Sequence, residues 1–378
     1  MFWQQEYIRE SVAMPLNSTY RIDLPEHGWL GSLLIKIEGA NMTGHGQDAP
    51  DWRVLDNITE ISVMLNGATI AKSIRGDMAQ AVAFYDNGIA SPDLWRHYAT
   101  NTQYGIFLID FGRFMYDPLL GLDLSKFKNV ELRIKNDAAA ATEFSTLTLS
   151  ILAQYLRESP MASPMGFMRT ELWREWTTVQ AETQYMHIPT EYPIRRVIVQ
   201  ARPALDAGHH TKVNCHNLME DIDLSLDTAM TRVFKGGMDV LFKSNIYAYG
   251  KEILTGGEVY ALDSDAIETG VGSMQKSAHG AAHATLGTDG TIIPTYQSTD
   301  SSNTQNVNTY TADQPMRTLW SGCGYHNTAV FKFDWDLDPH TWLDPKARAT
   351  VELNIATQNA ADAAGGTNRV ILDRLVRV

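Results

Sequence analysis

Two cysteines in 378 residues, Cys215 and Cys323, are too few for a disulfide framework; they read as buried free thiols of a reducing compartment. Lysine and arginine are nowhere clustered as a phosphate-binding surface requires. The balance of 31 basic against 44 acidic residues leaves a formal charge of −13. That argues against direct nucleic-acid binding and mainly supplies solubility and repulsion between copies. No run approaches the roughly 18 apolar residues of a membrane-spanning helix. Residues 1–6 lack a basic stretch ahead of an apolar block, so no secretory signal is expected and the chain should fold in the cytoplasm where it is made. G-x-S-x-G, the phosphate loop, G-x-G-x-x-G and H-E-x-x-H are all missing.

What remains for chemistry is thin. His209, His210 and His216 with Cys215 form the densest histidine group, but zinc sites want closed sets of four ligands at recognisable spacings. His279 and His283 are four apart in a Gly/Ala-rich stretch read as an exposed loop, with no supporting glutamate. Asp334, Asp336 and Asp338 alternate, which on a strand would put them on one face; a solvated strand end is the reading preferred over calcium or acid–base chemistry. The recurring Asp-Pro and Leu-Asp pairs read as turn initiators. Asn17, Asn41 and Asn57 each start an N-x-[ST] triplet that means little without a secretory signal. No catalytic, cofactor-binding or metal residue is expected, and no cofactor.

The informative feature is a self-match. Glu6-Tyr7-Ile8-Arg9-Glu10 recurs as Glu171-Leu172-Trp173-Arg174-Glu175, and Tyr20 matches Tyr185 at the same spacing. Pro25 and Pro189 each precede a strand-like segment, Leu33-Leu34-Ile35-Lys36-Ile37 and Arg196-Val197-Ile198-Val199-Gln200. Ile61 to Leu65 parallels Ile222 to Leu226, and Ile74 to Met78 parallels Phe234 to Met238. Phe107 to Phe111 parallels Phe331 to Trp335; Asp117-Pro118 and Asp338-Pro339 follow, then Leu122-Asp123 and Leu343-Asp344. Val130-Glu131-Leu132-Arg133-Ile134 and Val351-Glu352-Leu353-Asn354-Ile355 close the series. Blocks repeating in one order with small drifts in spacing mark an internal duplication. The second copy carries about 64 extra residues, rich in Gly, Ser, Thr, Asn and Ala, between roughly 250 and 325. An insertion of that length runs over the surface, as an exposed crown.

Apolar and polar residues alternate through the matched blocks, so each strand buries one face. Strands are expected near 18–24, 31–38, 58–65, 68–74, 104–111, 128–135 and 144–155, with an Asn66-Gly67 hairpin turn. The segment 77–85 fits either a strand or a helical face, and Ser91-Pro92-Asp93 reads as the cap of a short helix over 94–100. The expected fold class is all-β: two tandem sandwiches, residues 1–160 and 161–378, with short helices in loops. Periodicity alone leaves open a jelly roll or an immunoglobulin-like sandwich. The aromatic and charged segment Phe2-Trp3-Gln4-Gln5-Glu6-Tyr7-Ile8-Arg9 fits a membrane surface, a neighbouring subunit or packing under its own sandwich.

Two fused sandwiches with a long insertion in the second resemble the double-jelly-roll major capsid proteins of tailless icosahedral viruses, the lineage that includes adenovirus hexon. The resemblance is architectural and spans the chain. It implies jelly rolls, a homotrimer presenting six similar sandwiches as a pseudo-hexameric capsomer, and a place in the virion. It also implies neighbouring trimers and minor capsid or vertex proteins as partners, and an internal membrane met through the N-terminal segment. Two rival readings stand beside it. One is a tandem jelly-roll enzyme acting on glycans (an amidase) or using copper; the other is a carbohydrate-binding appendage protein stacking sugars on Trp52, Trp95 and Trp320.

Overall fold

The computed structural model describes residues 1–42, 53–94, 101–139, 143–161, 163–202, 218–249, 324–359 and 364–377, and the backbone of five strands between 250 and 323. The first repeat contains β1 (Phe2–Met14), β2 (Thr19–Asp23), β3 (Trp29–Asn41), the one-turn α1 (Val54–Asn57), β4 (Ile58–Leu65), β5 (Thr69–Ile74) and α2 (Gly76–Asn87). It continues with β6 (Thr102–Asp110), the short β7 (Leu122–Asp123), β8 (Val130–Asn136) and β9 (Phe144–Arg157). The second repeat contains β10 (Phe167–Thr177), β11 (Thr183–His187), β12 (Ile194–Arg202), β13 (Asp221–Leu226), β14 (Thr231–Gly236) and α3 (Met238–Tyr249). After the inserted strands come β20 (Thr328–Lys332), β21 (Val351–Ala356) and β22 (Thr367–Val376).

Each repeat makes two facing sheets in the same order. In the first, β1-β9-β3-β6 faces β2-β8-β4-β5; in the second, β10-β22-β12-β20 faces β11-β21-β13-β14. Those orders, with consecutive strands crossing between sheets, are the jelly-roll arrangement. All ladders within the repeats are antiparallel. The two repeats are joined by one parallel contact, β5 on β10, with Lys72 level with Thr170 and Ser73 with Glu171. That contact fuses two four-stranded sheets into one of eight strands.

Alternation sets the faces. Leu33, Ile35 and Ile37 of β3 point into the first core with Ile61, Val63, Leu132, Ile134, Leu149 and Ile151, all essentially buried. Val197, Val199, Ile222, Leu224, Leu353 and Leu372 do the same in the second. Between β4 and β5, Asn66 and Gly67 both take positive φ (52° and 73°) in a tight turn closed by the Ala68 N–H on the Leu65 carbonyl, with Leu65 paired to Thr69 across a three-residue loop. The segment 77–85 is helix, ended by Gly88 in the left-handed conformation. The expected helix over 94–100 is corrected at its start: Leu94 bridges Tyr104 as a β partner. Ser91 Oγ donates to Asp93 and to the Ile106 carbonyl rather than capping a helix; residues 95–100 lie outside the described residues.

Register refines the self-match. The buried Ile22 of β2 stands opposite Leu132 and the buried Met186 of β11 opposite Leu353, so Tyr20 corresponds to Gln184, one residue from the sequence match. Ser32 lies opposite Asp110 and Arg196 opposite Lys332, which moves the β6/β20 match by two residues and keeps the same faces. The two Leu-Asp pairs are equivalent in action: Asp123 and Asp344 each accept from the backbone NH two residues on and start a 3₁₀ turn.

The insertion is more than loop. Its backbone forms a separate sheet of β15 (Ile253–Leu262), β16 (Ala266–Ile267), β17 (Ala281–Leu286), β18 (Ile292–Ile293) and β19 (Pro315–Gly322), ordered β16-β15-β19-β17-β18. It is spliced between α3 and β20, the link that in the first repeat runs from α2 to β6.

Candidate functional site: the seam between the repeats

The sequence pointed to no catalytic site, and the densest chemistry lies where the repeats meet. Two arginines in the apolar strand Ile194-Arg195-Arg196-Val197 make that place. A register shift between Ile194 and Arg196 bulges Arg195 out of the ladder, so both side chains reach the outer side of the second sheet. Helix α2 of the first repeat lies there and supplies Asp86.

Arg195 meets Asp86 and Asp334 at 2.7 Å each and Asp373 at 3.4 Å. Its guanidinium also donates to the Arg113 carbonyl at 2.9 Å. Arg196, 1% exposed, lies 2.8 Å from both Asp86 and Asp373; its contacts are Coulombic more than well-aligned hydrogen bonds. Lys72 of β5 donates to Thr170 at 2.7 Å, and Thr170 donates to Asp373 at 2.8 Å. The ladder joining the repeats is thus tied into the same cluster. Arg113 holds Asp117 through Nε and Nη2, both at 2.7 Å, and donates to the Leu337 carbonyl of the second repeat.

Along α2 a second set follows at helical spacing. Asp77 accepts from Gln200 at 3.0 Å and Arg369 at 3.2 Å. Gln80 bonds His326 at 2.8 Å, and the Tyr85 hydroxyl donates to the Thr328 carbonyl at 2.8 Å. Ile198, Val330 and Ile371, on the outer side of the second sheet, belong to the same apolar cluster as the first core. The repeats are therefore one packed body across the seam.

The charges obey their surroundings. Burial pushes the Asp86 carboxyl up. Burial also opposes ionisation of Asp373, but Arg196, Arg195 and Lys72 outweigh it and hold that carboxyl low. Burial brings Lys72 down to about 8 against the pull of Asp373 and Asp86, and lowers His326 to about 3, leaving it neutral. Asp110, which accepts from Asn87 at 2.9 Å, is pushed up to about 7 by burial and then by Asp86.

The Asp110 shift yields a pH prediction. Its folded value lies above the ordinary carboxylate value of about 3.9. Between those limits the folded chain holds a proton that the unfolded chain has released. The stability tied to that proton is fully present below about pH 4 and declines as pH rises through about 7. Asp110→Asn keeps a neutral group of the same shape. Its stability advantage over the parent should grow by about 2–3 kcal/mol between pH 5 and pH 8, read by urea unfolding at both. An advantage that stays flat would mean Asp110 is ionised throughout.

The other sequence candidates fall apart on inspection. Strand β20 ends at Lys332, so Asp334, Asp336 and Asp338 follow a turn rather than one strand face. Asp334 is buried against Arg195, a correction to the solvated strand end, whereas Asp336 and Asp338 accept turn hydrogen bonds at the surface. Asn41 and Asn57 are buried. Among the described residues no group of three His, Cys, Asp or Glu is placed to hold a metal. His209, His210, Cys215, His216, His279, Cys323, Trp52 and Trp95 lie outside the described residues, as do the side chains of His283 and Trp320. The N-terminal segment is an edge strand: β1 pairs along β9, with Trp3 packed over Gly31, where a Cβ would come within 2.5 Å of the indole.

The seam uses one edge and one face of each repeat, and the duplication leaves a second set open. Strand β14, the counterpart of β5, and β1, the counterpart of β10, are unpaired edges among the described strands.

No family model matches the chain, and no curated protein matches it in sequence. Solved structures match it end to end. The STIV MCP aligns with a TM-score of 0.60 at 11% identity, over 100% of this chain and 97% of that one. The atomic structure of Sulfolobus Turreted Icosahedral Virus gives 0.56 at 11%, over 99% and 90%. The major capsid protein P2 of bacteriophage PM2 gives 0.52 at 12%, over 99% and 98%. At these identities the likeness establishes the shared fold of two jelly rolls in tandem.

Proposed function

We propose that this chain is a major capsid protein, residues 1–160 and 161–378 forming its two jelly rolls, and that three copies close into a pseudo-hexameric capsomer of an icosahedral shell. The observation that carries the reading is the seam. Two sandwiches of one topology stand side by side, welded edge to edge by β5 and β10, with equivalent edges left open at both outer sides. A chain built that way adds further copies by repeating a contact it already makes. The capsid proteins that share its fold support this role over the glycan-acting enzyme and the carbohydrate-binding appendage, as does the use of the buried charges in packing rather than at an open cleft. The partners proposed are further copies of itself, neighbouring trimers and minor capsid or vertex proteins, with the end of the sandwiches at which β1 begins facing an internal membrane; direct nucleic-acid contact is not proposed. The insertion of 250–323 is proposed as the outward crown.

Light scattering after size exclusion, with negative-stain imaging, tests this. The expected result is a species near three times 42.2 kDa with hexagonal outlines. A clean monomer at every salt and protein concentration, joined by binding in a glycan screen, would overturn it in favour of the appendage protein.

A further inference from the structure

The register lets each residue of the seam be matched with its counterpart in the other repeat. On the second sheet one lateral row runs Thr170-Asp373-Arg196-Lys332; on the first, the same row runs Gln5-Gln154-Ser32-Asp110. Both rows follow a β-bulge, at Arg195 and at Gly31. The next row outward on the same face is Leu172-Ile371-Ile198-Val330 in the second repeat and Tyr7-Leu152-Leu34-Leu108 in the first. The second-repeat row is covered by the first repeat, and its three central members are buried. Leu34, Leu108 and Leu152 are only half-buried and Tyr7 is 54% exposed. An apolar row sits uncovered where its twin is covered.

The covering side is duplicated too. Helix α3 turns Met238, Leu241, Phe242 and Asn245 inward and leaves Val240 and Tyr247 outward, 52% and 90% exposed. The helices begin at Gly76 and Met238 after matched strand ends Ile74 and Gly236, so Tyr247 is the counterpart of Tyr85, whose hydroxyl reaches the second repeat, and Val240 that of Met78. Beside the helix, Met230 and Val233 are exposed near the open edge of β14. By register, Lys72 and Ser73 correspond to Phe234 and Lys235, the bulged Ala71 corresponding to Val233; Thr170 and Glu171 correspond to Gln5 and Glu6.

We propose that β14 and the outer face of α3 of one chain dock on β1 and the Tyr7-Leu152-Leu34-Leu108 row of a second copy, in the parallel register that β5 takes on β10. This rests on the self-assembling reading above and specifies its contact. Phe234 then lies beside Gln5 and Lys235 beside Glu6, with the lysine charge next to the carboxylate of Glu6. The contact differs from its template in one respect. The places of Asp86, Arg195, Arg196 and Asp373 are taken by Ala248, Gly31, Ser32 and Gln154, so the contact between chains has no counterpart of the buried ionic cluster. An α2 face bearing Asp86 finds no arginine on the first sheet, and the Arg195–Arg196 pair is already occupied within its own chain. Electrostatics thus sorts the two seams: ionic within a chain, apolar between chains.

Parallel neighbours at these positions lie within disulfide reach. In full-length protein with Cys215→Ser and Cys323→Ser, the pair Glu6→Cys and Lys235→Cys should, on mild oxidation, convert the chain to a covalent closed trimer on non-reducing gels. The displaced pair Phe2→Cys and Lys235→Cys should not. Separately, Tyr247→Asp, at a position exposed in the single chain, should leave its melting curve unchanged and abolish the trimer by light scattering. A parent that is trimeric but yields no cross-link through residues 6 and 235, or that tolerates Tyr247→Asp, overturns this contact and leaves the capsid reading standing. A parent that never trimerises overturns both.

Discussion

Replacing Arg196 with methionine should cost the folded chain about 3–5 kcal/mol, the penalty typical of breaking a buried ion pair by removing one partner. The guanidinium is 1% exposed and stands between Asp86 and Asp373 at 2.8 Å from each. Without it, Arg195 is the one guanidinium left between Asp86, Asp334 and Asp373, with Lys72 acting through Thr170, and a carboxylate stays buried with too little positive charge. The surface Arg133–Glu131 pair on β8 provides the comparison: Arg133→Ala should leave stability nearly unchanged. Denaturant unfolding of both variants measures the difference. A loss for Arg196→Met no larger than for Arg133→Ala would mean that the cluster contributes specificity alone. Replacing Asp86, Arg196 and Asp373 together by apolar residues should recover much of the loss, because the desolvation cost of the charges goes with them.

The second large effect separates two positions that the duplication makes equivalent. Ile371 and Leu152 occupy the same place on β22 and β9, yet Ile371 is fully buried beneath the first repeat and Leu152 is half-exposed. Ile371→Ala should cost about 2–5 kcal/mol, the range for an aliphatic side chain deleted from a packed core. Leu152→Ala should cost less than about 1 kcal/mol in the single chain, since surface positions leave no cavity. Urea titration at concentrations low enough to keep chains apart checks both. Equal costs would show that the outer row of the first repeat is already covered within one chain.

Much of this architecture is legible in the residues. Val130-Glu131-Leu132-Arg133-Ile134 alternates without interruption and Leu33-Leu34-Ile35-Lys36-Ile37 does so but for Leu34, and each is a strand within three residues of its expected ends. Strand β1 is not legible in the same way. Its ladder slips between Tyr7 and Arg9 and again between Arg9 and Val12, and each slip inverts the phase of the pattern. Its position at a sheet edge also leaves most of its side chains exposed, so no buried face marks it. The one-residue error at Tyr20 has a similar origin: two tyrosines match by type, while the buried partners Ile22 and Met186 set the true register. The seam left a signal that composition hides. Arg195-Arg196 and Asp373-Arg374 interrupt the apolar runs of central strands, where an unpaired charge would be costly; Asp373 and Arg374 meet Arg196 and Glu171 on neighbouring strands of their own sheet, and the arginine pair also draws Asp86 from outside it. Which partners they find depends on α2, more than a hundred residues away, and local pattern does not reach that far.

The parallel sense of the β5–β10 ladder carries a last consequence. Successive strands of a jelly roll run up and down in turn, so a parallel match between the fifth strand of one repeat and the first of the next sets both sandwiches the same way up. Helices α2 and α3, each following the corresponding strand, therefore leave by the same end, and the inserted sheet of residues 253–322 follows α3 from that end. Strand β1 begins and β22 finishes at the other. An antiparallel junction would have stood one sandwich on its head and given a layer whose two sides were alike. With this junction, any sheet of molecules joined edge to edge has two different sides, and one weak ladder of two residue pairs decides which side faces out.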